Sequence, residues 1–189
     1  MNTYRSSHPT DYPRLISLQQ YLYSPSPRLL RTVVRTQKLG NCLVSTTQAA
    51  DAVGYALWLT STEQTDPRTS DLIEESKYCS DEDDKVHTDN INISNTDATA
   101  NAHLAELVIH PTYRRQRRGF QLLNAVFTRL NSGTRLTLNV AVNNSPARAL
   151  YETAGFNPVC RHEGFYQIET NNQTTELDAI TYAKMIQQL

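Results

Sequence analysis

No apolar run in this chain approaches the roughly 20 residues that a membrane-spanning helix requires, so no membrane partner is expected. The opening residues, MNTYRSSHPTDYP, have no apolar stretch of the secretory-leader kind, and export by that route is not expected either. Cysteine is scarce: Cys42, Cys79 and Cys160 are odd in number and far apart. They form no metal or redox pattern, and a reduced, cytoplasmic setting is the simplest reading. Net charge is nearly absent, at −1 from 18 Lys/Arg and 19 Asp/Glu, which removes any global bias toward nucleic acid or acidic lipid. No internal repeat is visible. What remains is an ordinary globular balance, 189 residues with 39% hydrophobic content, suited to one domain with a core large enough to fold alone.

The small net charge hides an uneven distribution. Residues 61–101 carry eleven Asp/Glu against three Lys/Arg, a local net of −8, which leaves the rest of the chain at +7. This stretch is rich in Ser, Thr, Asn and Asp and has few large apolar residues, too few to offset the entropy of ordering it. It reads as a mobile acidic insertion between two strands of a domain spanning 1–189. It could serve as an electrostatic screen for a basic substrate.

The flanks have regular patterns. In TDYPRLISLQQYL (10–22), Tyr12, Leu15, Ile16, Leu18 and Leu22 lie near helical spacing, with Thr10 or Asp11 as N-cap and Pro13 in the first turn. The SPSP run at 24–27 is a break, after which Pro27 can open a second helix through 37. Residues 41–48 and 53–60 are β-rich and suggest an antiparallel pair. A strand at 102–109 precedes a helix over 118–131, with Phe120, Leu123, Val126, Phe127 and Leu130 on one face. A strand at 134–142, a helix at 146–154 and closing strands at 156–168 and 176–186 complete the pattern. The expected order is β-α-α-β-β-β-α-β-α-β-β, with no residues assigned to its leading strand. The central strand–helix–strand unit implies parallel pairing, and hairpins flank it. Such a mixed sheet can splay where the parallel pairing fails, exposing backbone groups to an extended amide-bearing ligand.

Two stretches carry chemistry. HPTYRRQRRGFQLL (110–123) links a buried strand to an amphipathic helix. A helix start offers unpaired N–H groups and partial positive charge, which favours phosphate. Arg114, Arg115, Arg117 and Arg118 add charge-assisted donors. On charge alone, a solvated basic turn or a nucleic-acid patch would serve as well, but the run lacks interleaved stacking aromatics, and no nucleic-acid partner is expected. In NSPARALYETAGF (144–156), Asn144 suits a helix N-cap and Gly155 a C-terminal cap, while Tyr151 falls within the helix body.

Together these stretches resemble the acetyl-CoA site of the GNAT family of N-acetyltransferases, most closely the ribosomal-protein alanine acetyltransferase branch. LYETAGF, the Phe165-Tyr166 pair and Asp178-Ala179 support that branch, over about 102–187 well and over 1–60 in outline. The resemblance implies a GNAT-like α/β (α+β) fold, a mixed twisted sheet splayed between strands 4 and 5 with helices on both faces. In an ungapped register of the family's R/Q-x-x-G-x-G/A loop, Arg114 takes the first position and Gly119 the last, with Arg115, Gln116, Arg117, Arg118 and Phe120 completing the coenzyme loop. Arg117 stands where the family has its middle glycine. A register shifted to Gln116 recovers a glycine but lengthens the loop by two residues. Leu107, Val108 and Ile109 would bond the pantetheine arm through their backbone. Asn144 and Ala147 would flank it.

The implied reaction is direct acetyl transfer from acetyl-CoA to a primary amine, on a small molecule or a protein N-terminus, with no metal. Tyr151 would protonate the departing thiolate. The branch's usual base position, in the strand before the Asn motif, holds Asn139, which cannot take up a proton. His103 and Glu106 are the candidate bases, with His110 behind them. A non-catalytic acyl-CoA binder is the alternative. The acceptor's identity is not legible, its walls being expected from 10–30, the insertion and 160–175. Closing strands in such domains can pair between subunits, which leaves a homodimer open.

Overall fold

The computed structural model describes residues 3–36, 40–61, 100–170 and 173–187. The leading strand is β1 (Thr3–Ser6). Helix α1 (Tyr12–Leu18) is flanked by short 3-10 turns at Pro9–Asp11 and Gln19–Tyr21, so the span 10–22 is three short pieces rather than one helix. Asp11 does stand at the N-cap of α1, but its side chain makes no cap bond there. It accepts instead from Arg5 at 2.7 and 2.8 Å and from the His8 N–H at 2.7 Å, and the Arg5 guanidinium holds its carboxyl below the usual range. Helix α2 (Pro27–Thr36) opens at Pro27, where a missing N–H costs nothing.

Strands β2 (Asn41–Thr46) and β3 (Ala52–Ser61) form an antiparallel pair. β4 (Ala100–Ile109), α3 (Arg118–Phe127), β5 (Thr134–Ala141), α4 (Ser145–Thr153), β6 (Asn157–Thr170) and β7 (Gln173–Met185) follow. The acidic insertion lies outside the described residues except at its margins. There Ser61 belongs to β3 and Ala100 and Asn101 to β4, so both strands extend into the span assigned to it. Among the described residues no helix is long and apolar enough to cross a membrane.

Among the described residues the seven strands form one sheet in the order β1-β2-β3-β4-β5-β7-β6. Only β4 and β5 run parallel, and they pair over four rungs, from Ala100↔Thr134 to His103↔Thr137. Beyond His103, β4 continues for six residues and β5 for four with no pairing between them. This is the expected splay.

Two cores cover the two faces. On one, α3 and α4 bury Leu122, Leu123, Val126 and Tyr151 against Trp58, Leu104, Leu136, Leu138 and Val140. On the other, α1 and α2 bury Leu15, Leu18, Leu30, Val33 and Val34 against Val44, Tyr55, Leu57 and Val108. Each fully buried Leu stabilises the fold by about 1.5–3 kcal/mol. β5 alternates buried and half-buried residues from Thr134 to Val140, so Thr137 and Asn139 face away from the α3/α4 core that takes Leu136 and Leu138.

β4 departs from simple alternation. Its register with β3 slips at one point, Leu57 facing Glu106 while Trp58 faces Leu104, so Ala105 is an extra, bulged residue. Leu104 and Leu107 consequently pack on the α3/α4 core, whereas Ala105, Glu106 and Val108 turn to the α1/α2 face.

Candidate coenzyme and acceptor site

The turn after β4 is built around strain. Pro111–Tyr113 forms a 3-10 turn, and then Arg115 (φ 60°) and Arg117 (φ 58°) both adopt the left-handed conformation. Side chains bearing a Cβ enter this region at a cost of about 1–2 kcal/mol each. Arg117 is the N-cap of α3. The chain thus takes a left-handed turn at the residue that the ungapped register matched to the family's middle glycine. The backbone N–H groups at the start of α3 are left for an anion. Gly119 follows at close quarters: a Cβ there would lie 3.3 Å from Leu150 of α4.

The four arginines divide by role. Arg118 is buried; its Nη1 donates to Thr46 O at 3.2 Å and to Ser45 Oγ at 3.4 Å, and its guanidinium lies 5.3 Å from the Tyr113 ring. It bolts the turn to β2. Arg114 donates from Nε to Ile109 O at 2.9 Å and lies over Tyr21 at 5.8 Å. Arg115 and Arg117 have exposed side chains. Gln116 is exposed, donates to Thr112 O at 3.3 Å and accepts from Arg118 at 3.4 Å. It stabilises the turn and does not line the cavity described next.

A cavity of about 950 Å³ passes through the gap between β4 and β5. On the α3/α4 side it is walled by the turn from Arg114 to Phe120, apart from Gln116, and by Asn144, Ala147, Leu150 and Tyr151. Leu107, Val108 and Ile109 run along its length. Val108 keeps its side chain in the α1/α2 core, so it reaches the cavity by its main chain. On the α1/α2 side the cavity meets His103, Glu106 and Asn139, and it opens at Tyr21–Ser24 and at Phe165 and Tyr166.

Asn144 caps α4, accepting from Ala147 N at 3.3 Å, and Gly155 ends it at φ 84°. Tyr151 is 7% exposed, beside Phe156 and Tyr182. Its hydroxyl makes no hydrogen bond among the described residues, although Tyr151 lines the cavity. Burial pushes its pKa up, and neighbouring Tyr166 adds to this, so the phenol holds its proton.

The candidate bases differ sharply. His103 sits on the last paired rung of β4 and β5, its Nδ1 3.0 Å from Thr137 Oγ1. Glu106 is 4% exposed and its carboxylate is saturated. It accepts from Gln19 Nε2 at 2.9 and 3.1 Å, from Ser26 N at 2.9 Å and from Tyr55 OH at 2.7 Å. His110 lies outside the cavity wall, edge-on to Tyr21 and to Tyr113 at 5.4 and 5.9 Å. Asn139 accepts from Thr181 Oγ1 at 2.7 Å.

Sequence reasoning expected acceptor walls from 10–30 and 160–175, but it named Leu22 only for its helical spacing, gave Tyr21, Tyr23 and Ser24 no role in the site, and used Phe165 and Tyr166 as marks of a resemblance. Tyr23 and Tyr166 meet across the mouth at 6.3 Å, and Phe165 lies edge-on to Tyr166 at 4.9 Å. The one available signal was the exposed aromatics on either side of segments already read as loops or chain ends.

A sheet that parts between its two parallel strands, over a helix start offering free N–H groups, defines an α/β protein able to grip a diphosphate and thread its attached arm through the sheet. Comparison agrees. Residues 78–156 match the model of the acetyltransferase (GNAT) family. The chain thus carries a segment matching the GNAT acetyltransferase family, set in a GNAT fold throughout. Among solved structures, Arabidopsis thaliana NAA60 in complex with a bisubstrate analogue superimposes with a TM-score of 0.72 at 18% identity, covering 99% of this chain and 100% of that one. The same protein with acetyl-CoA gives 0.69 at 20% identity, covering 98% and 99%. The ribosomal-protein-S18-alanine N-acetyltransferase of Escherichia coli gives 0.68 at 21% identity, covering 100% and 96%. A comparison with curated proteins finds no match.

Proposed function

We propose that the protein transfers acetyl from acetyl-CoA directly to a primary amine, on a protein N-terminus or a small molecule. One observation carries this reading: a single cavity runs through the β4–β5 gap from the strained arginine turn to an aromatic mouth. The structures of similar fold solved with acetyl-CoA and with a bisubstrate analogue support it.

When bound, acetyl-CoA supplies the thioester that the amine attacks. The turn from Arg114 to Gly119 holds the diphosphate with the N–H groups at the head of α3, and the exposed Arg115 and Arg117 add positive charge. The unpaired backbone of Leu107–Ile109 orients the extended arm as an added strand. Tyr151, buried and protonated, lies on that side of the cavity to protonate the departing thiolate.

The amine must lose a proton, because free amines are largely protonated near neutral pH. Asn139 cannot accept it, and Glu106 already accepts bonds on both oxygens. His103 remains. The Thr137 hydroxyl has one proton, and it is directed to Ala102 O at 3.3 Å. Its oxygen therefore accepts from His103 Nδ1–H, which orients the imidazole on the last paired rung of the sheet.

Thioester consumption over a panel of amines and N-terminal peptides, followed by release of free thiol, tests the function. Turnover above the no-amine rate is expected with at least one acceptor. Tight acetyl-CoA binding without turnover on any acceptor would favour a non-catalytic binder instead.

A further inference from the structure

Glu106 has a place no simple strand would give it. The bulge at Ala105 turns its side chain to the α1/α2 face, and there it reaches both ends of one segment. Gln19, at the start of the turn after α1, donates to both carboxylate oxygens. Ser26, just before α2, donates its backbone N–H to Oε1 at 2.9 Å. Tyr55 from β3 fills the remaining position at 2.7 Å. Between those two anchors lie Tyr21, Leu22, Tyr23 and Ser24, the four residues that this side of the chain contributes to the cavity. A single carboxylate therefore closes the base of the loop that forms one wall of the mouth.

We propose that Glu106 is a positioning residue that fixes the acceptor-facing loop 19–26 and thereby sets affinity for the amine, and that it is not the base. A base needs a lone pair directed at the substrate, whereas both oxygens here are committed to the protein. The carboxylate accepts three donor groups in a site with almost no water access, an arrangement that holds geometry firmly. Gln19 contributes to the asymmetry: its Oε1 is buried with no hydrogen-bond partner. Its amide is thus oriented wholly by the demand of Glu106 for donors. Tyr21 extends the coupling, since its ring lies under Arg114 and beside His110 of the coenzyme turn.

This inference rests on the acetyl-transfer reading, and its test separates the two. The variants are Glu106→Gln and Glu106→Ala, assayed with acetyl-CoA and a synthetic peptide with a free N-terminal alanine. The expected result is a KM for the peptide raised at least 10-fold in Glu106→Ala and less in Glu106→Gln, whose retained oxygen can still accept from Ser26 or Tyr55. Both should keep kcat within about threefold and an unaltered pH profile. A 100-fold or greater drop in turnover for Glu106→Gln, with the acidic limb of the pH profile abolished and KM unchanged, would make Glu106 the base and overturn the proposal. Hydrogen–deuterium exchange supplies a readout that needs no turnover. In Glu106→Gln, amides of 19–26 should exchange at least 10-fold faster while those of α3 and β5 hold their rates. Unchanged exchange in 19–26 would also overturn it. If the wild type fails to consume the thioester, the functional reading falls, and the exchange experiment still decides the role of Glu106.

Discussion

Replacing Arg117 with glycine should make the protein more stable while weakening its hold on coenzyme only slightly. Arg117 is at φ 58° and ψ 7°. An L-residue there carries a penalty of about 1–2 kcal/mol from its Cβ. Glycine removes that penalty but gains freedom in the unfolded chain worth about 0.4–1 kcal/mol. The net is a stabilisation of about 0.5–1 kcal/mol, or about 1–4 °C in Tm for a chain of this size. Arg117→Ala is the control, since it removes the charge but keeps the Cβ and the strain. Both variants lose one exposed cation, and each should raise the acetyl-CoA Kd about two- to fivefold at low salt, an effect that shrinks as salt is added. Thermal scans of the three proteins, with calorimetric titration at two ionic strengths, measure both quantities. If Arg117→Gly melts no higher than Arg117→Ala, the left-handed turn is not strained as argued. The register that puts residue 117 at the family's glycine position would then lose its physical support.

Tyr151→Phe should slow turnover by about 10² or more with an unchanged acetyl-CoA Kd; full turnover in this variant would remove Tyr151 from the thiolate step. His103→Gln should lower kcat by about 10² or more with an unchanged acetyl-CoA Kd; full turnover in this variant would return the search to other groups. Cys42 gives a stability prediction at alkaline pH. Burial pushes its thiol up to about 12, so the folded state disfavours the thiolate. Its contribution is complete below the unfolded thiol's pKa, about 8.5, and is lost as pH rises from there toward 12, at up to about 1.4 kcal/mol per pH unit. Between pH 9 and 10, where the tyrosines raised by burial add a slope common to both proteins, unfolding by urea should fall more steeply with pH in the wild type than in Cys42→Ala.

Much of the fold was legible because the helices and strands announce themselves locally. Pro27 opens α2, Asn144 caps α4, Gly155 ends it, and β5 alternates from Thr134 to Val140. The splay was also legible, since a strand–helix–strand unit fixes one parallel pair within an otherwise antiparallel sheet. The turn before α3 showed in its arginines and in Gly119, but the arginines' division of labour did not. Arg118 is as basic as Arg117 in sequence, yet it spends its donors on Ser45 and Thr46, more than seventy residues away. Such partners are set by tertiary packing, on which local pattern is silent. β1 was expected by order and given no residues, because a four-residue edge strand of Thr, Tyr, Arg and Ser has no hydrophobic face to declare it. It is held by pairing to β2 and by Tyr4, whose hydroxyl donates to Gln121 of α3 at 2.8 Å.

The acid and the amide of the cleft show how far one residue of register matters. Strict alternation from Ala102 would send Leu104, Glu106 and Val108 to one face; the bulge at Ala105 divides them. A residue that sequence reasoning ranked as a base is thereby placed against α1 and α2 and saturated. Asn139, on the unbroken strand β5, has no such detour. Thr181 Oγ1 donates to its Oδ1 at 2.7 Å, and His162 Nε2 lies 2.8 Å from the same hydroxyl. With the threonine proton used on Asn139, His162 must donate, and the amide of Asn139 is fixed with its oxygen turned to β7. What position 139 can offer the cavity is therefore an N–H group. A donor there can bind a carbonyl or a water of the acceptor, but it cannot remove a proton. In the proposed reaction the base therefore comes from another strand, and the candidate is His103 of β4, on the last rung before the sheet opens.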